Sequence, residues 1–346
     1  MSTLHFLLPG DPATRTGGYL YDSRMMRELA DLGWHVAHHR LADRFPFPDR
    51  QALDQAAALL AGLPDGALAL IDGLALGAMP GAVAAQAGRL RIVGLVHHPL
   101  AEETGLDDAQ RRSLFDSERA ALAPLRRIIV TSPFTAQALA AYGVPADRVT
   151  TIMPGTDPAD PARGSGGPAL GLLTVGSLTP RKGHDVLLTA LARLRHRDWR
   201  LTLAGGARDP ATARRVKEFI ENNDLPDRVS LVGEIDEAAL ARLYDSADLF
   251  VLASHYEGYG MVFAEALARG LPVIGTTGGA IPTTVPREAG LLVPPGDAPA
   301  LADALARVLD DPALLARLRA GALAARNSLP DWRGSALRLA RVLEEA

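Results

Sequence analysis

The stretch Glu257-Gly258-Tyr259-Gly260-Met261-Val262-Phe263-Ala264-Glu265 sets two carboxylates eight positions apart around two glycines. On a helix, side chains meet three or four residues apart, and glycine weakens the helix that would hold them. Only a tertiary fold can bring both carboxylates to one ligand. Ionised carboxylates accept hydrogen bonds and suit the hydroxyls of a sugar. Glu257 follows the apolar run "LFVLAS" and is expected just past the carboxyl end of a strand. Glu265 is expected in the first turn of the next helix, where it would also complement the helix dipole. The backbone N–H groups of Gly260, Met261 and Val262, at that helix start, could meet a sugar or a phosphate.

A second chemistry-bearing stretch is "VGSLTPRKGHDVLLTAL", residues 175–191. A strand leaves through Gly176, a loop carries Arg181 and Lys182, and Gly183 precedes a helix. Glycine admits close backbone approach, two cations neutralise charge and a helix start offers N–H groups, which together suit a diphosphate. The G-x-x-x-x-G-K-[ST] spacing of a P-loop is absent. The dinucleotide pattern fares no better: its match, "GSGGPA" at 164–169, contains proline and precedes a strand instead of following one. Earlier in the chain, His97 and His98 close the run "RIVGLV", and Gly17 and Gly18 open a helical pattern. His39 and Asp72 also fall near strand ends, with no role to assign.

The elements that must hold these residues are readable as short Val, Ile and Leu runs separated by helical patterns. In the first half the strands are "HFLLP", "HVAHHRL", "LALID", "RIVGLV", "RIIVTS" and "VTTIM"; in the second, "LGLLTVGSL", "RLTLAGG", "VSLVGE", "LFVLAS", "PVIGTT" and "GLLVP". Unbroken apolar runs are the mark of parallel strands covered on both faces. Alternation with helices implies α/β architecture, doubly wound. "PGTDPADPARGSGGPALG", residues 154–171, reads as an interdomain connection because it is dense in proline and glycine. The expected organisation is a Rossmann-like domain over 1–160, a second over 161–328 facing it across a cleft, and a C-terminal helix over 329–346 crossing back to the first, with Trp332 as its anchor.

Composition excludes several classes. A formal charge of −4 argues against a protein that binds nucleic acid by neutralising phosphates. No apolar run reaches the roughly 18 residues of a membrane span. The absence of cysteine rules out disulfides and thiolate metal sites and fits a reducing compartment. The first residues carry no basic leader, so a cytoplasmic location is expected. Arg111, Arg112, Arg119, Arg126 and Arg127, read as one helix with Leu114, Phe115 and Leu122, could support peripheral contact with an anionic membrane. The interspersed Asp107, Asp108, Asp116 and Glu118 favour an ordinary solvated helix.

Taken together and in order, "TGGYLYDSRMMRELADLGWHV", "GLVHHP", "TSPFTAQALAAYGVPADRVTTIMPGTD", "GSLTPRKG", "EGYGMVFAEALARGLPVIGTTGGAIP" and "GLLVPPGD" resemble the family 4 glycosyltransferases of the GT-B fold. These are retaining enzymes that use a nucleotide-diphosphate sugar. The resemblance covers most of the chain. It implies that Arg181 and Lys182 grip the donor diphosphate, that Glu265 holds the ribose hydroxyls and that Glu257 meets the donor sugar near the reacting centre. It implies further that Gly17 and Gly18 form a loop near the phosphates, that His97 or its neighbour His98 approaches the sugar, and that Val232, Gly233 and Glu234 lie near the base. The sequence departs from the family after "GGAIP", where Thr283 and Thr284 stand in place of a frequent acid. No D-x-D occurs, so no metal or other cofactor is expected beyond the donor, a UDP- or GDP-sugar. The acceptor, a saccharide, lipid or small molecule, would dock near "PATRTGGY" and "HHPLAEETG". A nucleotide-sugar epimerase and a catalytically silent nucleotide-sugar-binding subunit share this architecture and remain as alternatives.

Overall fold

The computed structural model describes residues 2–14 and 16–346, which leaves Arg15 of the "PATRTGGY" stretch outside the described residues. The chain forms two compact units: one runs up to Gly155 and takes in Pro330–Ala346, and the other is Thr156–Leu329.

In the first unit the chain runs β1 (Thr3–Pro9), α1 (Gly17–Asp31), β2 (His35–Leu41), α2 (Arg50–Gly62), β3 (Leu68–Asp72), α3 (Gly73–Leu76), α4 (Pro80–Gln86), β4 (Arg91–Val96), α5 (Asp108–Leu122), β5 (Arg127–Val130), α6 (Pro133–Ala138) and β6 (Val149–Thr151). The six strands pair in the order β2-β1-β3-β4-β5-β6, all parallel. The order reverses between β1 and β3, so the loops after these strands diverge and leave a crevice at their carboxyl ends. Gly17 and Gly18 follow β1, Asp72 ends β3, and His97 directly follows β4.

The second unit runs β7 (Leu170–Val175), α7 (His184–Arg193), β8 (Trp199–Ala204), α8 (Pro210–Asn222), β9 (Val229–Gly233), α9 (Glu237–Asp245), β10 (Leu249–Val251), α10 (Met261–Ala268), β11 (Val273–Thr276), α11 (Ile281–Thr284), β12 (Gly290–Val293), α12 (Ala298–Asp310) and α13 (Pro312–Ala325). Its parallel sheet has the order β12-β11-β10-β7-β8-β9 and reverses between β7 and β10. Successive side chains of a strand face opposite ways. Leu172, Val251 and Ile274 accordingly join the core under α7, α8 and α12, while Leu173, Phe250 and Val273 join the one that holds Tyr244 of α9 and Phe263 of α10. The unbroken apolar runs in the sequence have this two-sided burial as their cause.

A final helix, α14 (Trp332–Glu345), belongs to the first unit and lies along α1. The Trp332 ring sits 6.2 Å from that of Tyr21, and the Arg24 guanidinium lies over it at 5.2 Å. The Tyr21 hydroxyl donates to the Ile152 carbonyl at 3.2 Å, and Ser335 donates to that of Met153 at 2.7 Å, which fixes the segment leaving β6.

Two local expectations need correction. The five arginines do not share one helix: α5 ends at Leu122, Arg126 lies beyond it and Arg127 opens β5. Leu114 and Leu122 are buried in the first unit, so the apolar stripe of α5 serves the core. No helix among the described residues is long and apolar enough to cross a membrane. The stretch 154–171 is also more than a connection. Ala162 is buried and its N–H donates to Arg269, Gly164 N–H donates to Asp245, and Ser165 bonds Asp248 at 2.6 Å. Proline and glycine here mark irregular backbone, and its hydrogen bonds tie it to the second unit.

Gly155 approaches α14 so closely that a β-carbon would lie 2.3 Å from the Trp332 nitrogen, a backbone atom that cannot rotate away. Gly155→Ala should therefore cost about 1–3 kcal/mol in denaturant unfolding, the usual penalty for overpacking. Gly167→Ala, where nothing lies within 4 Å, is the control and should leave the midpoint in place.

Candidate functional site

In the second unit the loops after β7 and β10 meet at the reversal of strand order. The turn Pro180–Lys182 ends at Gly183, whose φ of +61° lies in the left-handed region, and a β-carbon there would fall 2.1 Å from the Ala253 carbonyl oxygen. Only glycine permits that approach. It presses the Arg181–Lys182 turn against the loop that carries Glu257, and His255 N–H donates to the Arg181 carbonyl at 2.8 Å to close the join. The stem of Lys182 passes over Gly176, within 3.3 Å of where a β-carbon would lie.

This register brings three charges together. Lys182 Nζ lies 2.6 Å from Glu257 Oε1 and Arg181 Nη1 lies 3.2 Å from Oε2. The Ser254 hydroxyl donates to Oε1 at 2.7 Å, and Arg181 donates as well to the Tyr256 carbonyl at 2.8 Å. Glu257 is only 6% exposed. Burial alone would push its carboxyl up, but Lys182 and Arg181, with the hydrogen bonds from Lys182 and Ser254, hold it down at about 2. A depressed carboxyl stabilises the fold above its unfolded value, and that contribution is lost only as pH falls toward 2. The carboxylate is thus ionised throughout the working range, with a net positive cluster around it.

The helices that start here differ from their neighbours. In the same unit α8, α9, α12 and α13 each receive a side-chain cap from an aspartate: Asp209, Asp236, Asp297 and Asp311. Both α7 and α10 instead begin after a glycine of positive φ, with no side-chain cap. An uncapped helix start beside two cations has the chemistry of an anion site. Next to it, His184 is buried and donates from Nε2 to the Ser177 carbonyl at 3.1 Å; burial pushes its imidazole down to about 4, so the ring is neutral.

Glu265 corrects an expectation. Because α10 starts at Met261, Glu265 is its fifth residue and sits in the second turn, not the first. Its Oε2 accepts from the Tyr244 hydroxyl at 2.9 Å. Burial raises its carboxyl above the ordinary value, opposed by the Tyr244 hydrogen bond and by Arg269. At the end of β9, Gly233 has a φ of +70° and accepts from Gly205 N–H, Val232 is exposed, and Glu234 pairs with Arg208 at 2.8 Å. Thr284 holds two loops together by donating to the Tyr259 carbonyl at 2.6 Å, which is the use this chain makes of the position after "GGAIP".

The first unit holds a second cluster. His97 Nε2 lies 3.2 Å from Asp22 Oδ1 and 3.4 Å from Asp72 Oδ2. Thr131 and Thr135 donate to the His97 carbonyl, and a β-carbon at Gly18 would lie 3.4 Å from the ring, so Gly18 lets α1 pass beside it. Burial would lower the imidazole, but Asp22 and then Asp72 outweigh it and hold the ring well above its ordinary value. These three donors are also spaced to hold a metal ion; as they stand, one ring N–H serves both carboxylates. His98 turns to Glu103 at 3.3 Å instead, and His39 stacks on His5, so neither joins the cluster.

The comparisons with known proteins bear on both units. Residues 164–324 match the family described as Glycosyl transferases group 1, and residues 71–160 match Glycosyltransferase Family 4. Both halves of the chain thus match models of glycosyltransferase families. Among curated relatives, the D-inositol 3-phosphate glycosyltransferase of Xylanimonas cellulosilytica is 34% identical over 201 residues, covering 53% of this chain and 48% of the relative. That of Thermobispora bispora is 37% identical over 227 residues, covering 59% and 52%. The matched region thus spans about half the length of these relatives. Among solved structures, sucrose-phosphate synthase from Thermosynechococcus elongatus superimposes with a TM-score of 0.84 at 28% identity, over 100% of this chain and 99% of that one. The GT-B fold read from the sequence is borne out.

In the second unit the structure unites Arg181, Lys182 and Glu257 directly, with Gly176 under the Lys182 stem and Gly260 beside Glu257; Met261 and Val262 open α10. Three residues escaped the sequence reading. Asp72 was noticed without a role. Asp22 lies in the spacing 22, 25, 29 shared with buried Met25 and Leu29, so an acid on the apolar stripe of α1 was its legible sign. Tyr244 offered no such sign, since the end of an amphipathic helix is an ordinary place for a tyrosine.

If Asp22 and Asp72 hold the His97 proton, the ring should remain an imidazolium by heteronuclear NMR at pH 8, where ordinary histidines are neutral. Asp22→Asn should lower its titration midpoint by roughly 1–3 pH units, the size expected for loss of a close opposite charge. A raised imidazole stabilises the fold below its unfolded value, so this contribution should fade only on the alkaline side. A wild-type ring already neutral at pH 7 would contradict the clamp.

Proposed function

We propose that the chain is a retaining glycosyltransferase that moves a sugar from a nucleoside-diphosphate sugar, UDP- or GDP-linked, to an acceptor hydroxyl. The observation that carries this reading is the joint of Arg181, Lys182 and Glu257 beside two uncapped helix starts. Departure of the nucleoside diphosphate develops negative charge, and preorganised cations and N–H groups stabilise that charge most effectively. Arg181 and Lys182 already stand in place, held in the turn after β7 by Glu257 and the Tyr256 carbonyl. They supply positive charge that a bound metal would otherwise provide, so the transfer needs no metal.

Glu257 then has two tasks. It keeps the cations aligned, and it presents an ionised acceptor to the hydroxyls of the donor sugar. Glu265 takes the ribose, which removes it as a nucleophile and leaves no second carboxylate for a double displacement. Attack on the face vacated by the leaving group, with a phosphate oxygen accepting the acceptor proton, accounts for retention. His97, as a cation, acts as a hydrogen-bond donor toward the sugar and not as a base. The curated relatives make D-inositol 3-phosphate the first acceptor to screen. The cysteine-free composition fits a cytoplasmic enzyme.

A thermal-shift panel of UDP, GDP, ADP and CMP tests the site. A ligand at 100 times its Kd stabilises the folded state by about 2.7 kcal/mol. One nucleoside diphosphate should give such a shift, and Lys182→Ala should abolish it. With the matching donor, Glu257→Gln should lower turnover roughly 100-fold or more, the size seen when charge stabilisation is lost, while nucleotide affinity does not fall. Unchanged turnover would remove Glu257 from the chemistry. Sugar isomerisation without an acceptor would mark an epimerase, and binding without turnover would mark a silent subunit.

A further inference from the structure

We propose that Tyr244 is a positioning residue for Glu265: its hydroxyl holds Oε2 in place so that Oε1 is presented to the ribose hydroxyls of the nucleotide. The inference rests on the reading of Glu265 as the ribose ligand, and adds the group that orients it.

Tyr244 lies on α9, 21 residues before Glu265, and is fully buried. Its hydroxyl has two acceptors within reach, Glu265 Oε2 at 2.9 Å and the Val262 carbonyl at 3.3 Å. A single O–H donates to one, and the shorter approach to the more highly charged oxygen prevails. The ring cannot swing away. The Arg269 guanidinium covers it at 4.5 Å from the centroid, Phe250 stacks at 6.2 Å with an interplanar angle of 22°, and Arg269 donates in turn to the Glu265 carbonyl at 3.1 Å. Phe250 is itself braced edge-on by Phe263 of α10 at 5.4 Å. Glu265 is therefore gripped at its main chain and at one carboxylate oxygen by neighbours that do not depend on a ligand.

The division between the two oxygens has a chemical consequence. A free carboxylate rotates about its last torsion and offers either oxygen in many directions. With Oε2 engaged, rotation stops and Oε1 keeps its acceptor capacity for a hydroxyl pair. The phenol also favours the ionised form of a carboxyl that burial pushes the other way. Without it, Glu265 would tend to take up a proton and lose the acceptor that discriminates a hydroxyl from a hydrogen.

Calorimetric titration of UDP and GDP beside their 2′-deoxy and 3′-deoxy counterparts tests this. The wild type should bind the preferred ribonucleotide about tenfold more tightly than at least one deoxy form, the lower range for a hydrogen bond to a charged group. In Tyr244→Phe that preference should shrink to within about threefold, chiefly because the ribonucleotide weakens. Glu265→Gln, an independent variant that keeps a partner for the phenol, should lose the same preference. Tyr244→Phe with the full tenfold preference would overturn the positioning role while leaving the nucleotide site intact. Equal binding of ribo and deoxy forms by the wild type would overturn it as well, and a wild type that binds no nucleoside diphosphate would overturn the transferase reading with it.

Discussion

The buried joint of Glu257 with Lys182 and Arg181 is the constraint on which the second unit's site depends. One carboxylate in the loop after β10 meets two cations in the loop after β7, and so welds two loops that the sheet alone would let diverge. Taking charges out of water is costly, and such a group is tolerated only where hydrogen bonds satisfy it. Ser254 and the Tyr256 carbonyl supply those bonds. The backbone follows the same constraint: Gly183 takes a positive φ so that the cationic turn can lie against Ala253. Two cations meet one carboxylate in the joint, and the adjacent helices α7 and α10 start without side-chain caps.

The first unit solves the opposite electrostatic problem. There two carboxylates surround one imidazole, and the excess is negative until the ring carries its proton. Each cluster sits where its sheet reverses strand order or beside that point, the place where connecting loops part and side chains can converge without disturbing the ladder. Asp72 shows how closely the two functions are combined. It accepts from Leu74 N–H at 3.0 Å to start α3 and reaches His97 with its other oxygen.

Much of this was legible in the sequence. Strands covered on both faces, such as β3 and β10, read as unbroken apolar runs, and the exposed edge strands β2 and β9 were visible from their place between helical patterns. The Arg181–Lys182 turn was legible because glycine, cation and helix start are adjacent in the chain. The partners that complete each cluster were not, because they come from distant positions: 75 residues separate Glu257 from Lys182, and 75 separate His97 from Asp22. Glu265 was displaced by one turn since the helix waits for Gly260 to turn the chain before it begins. The arginines of α5 misled because charge is not periodic, whereas Leu114 and Leu122, eight apart on the buried face, set the real extent of the helix.

The placement of α14 has a consequence for how the protein comes into being. The first unit combines residues up to Gly155 with Trp332–Glu345, so its α1 side is completed only by a segment that comes after the whole second unit. The second unit is contiguous and has every strand it needs once Val293 has been made. Closure of the first unit therefore waits on a segment made after the second unit, and Tyr21 lacks its Trp332 neighbour until α14 has been synthesised.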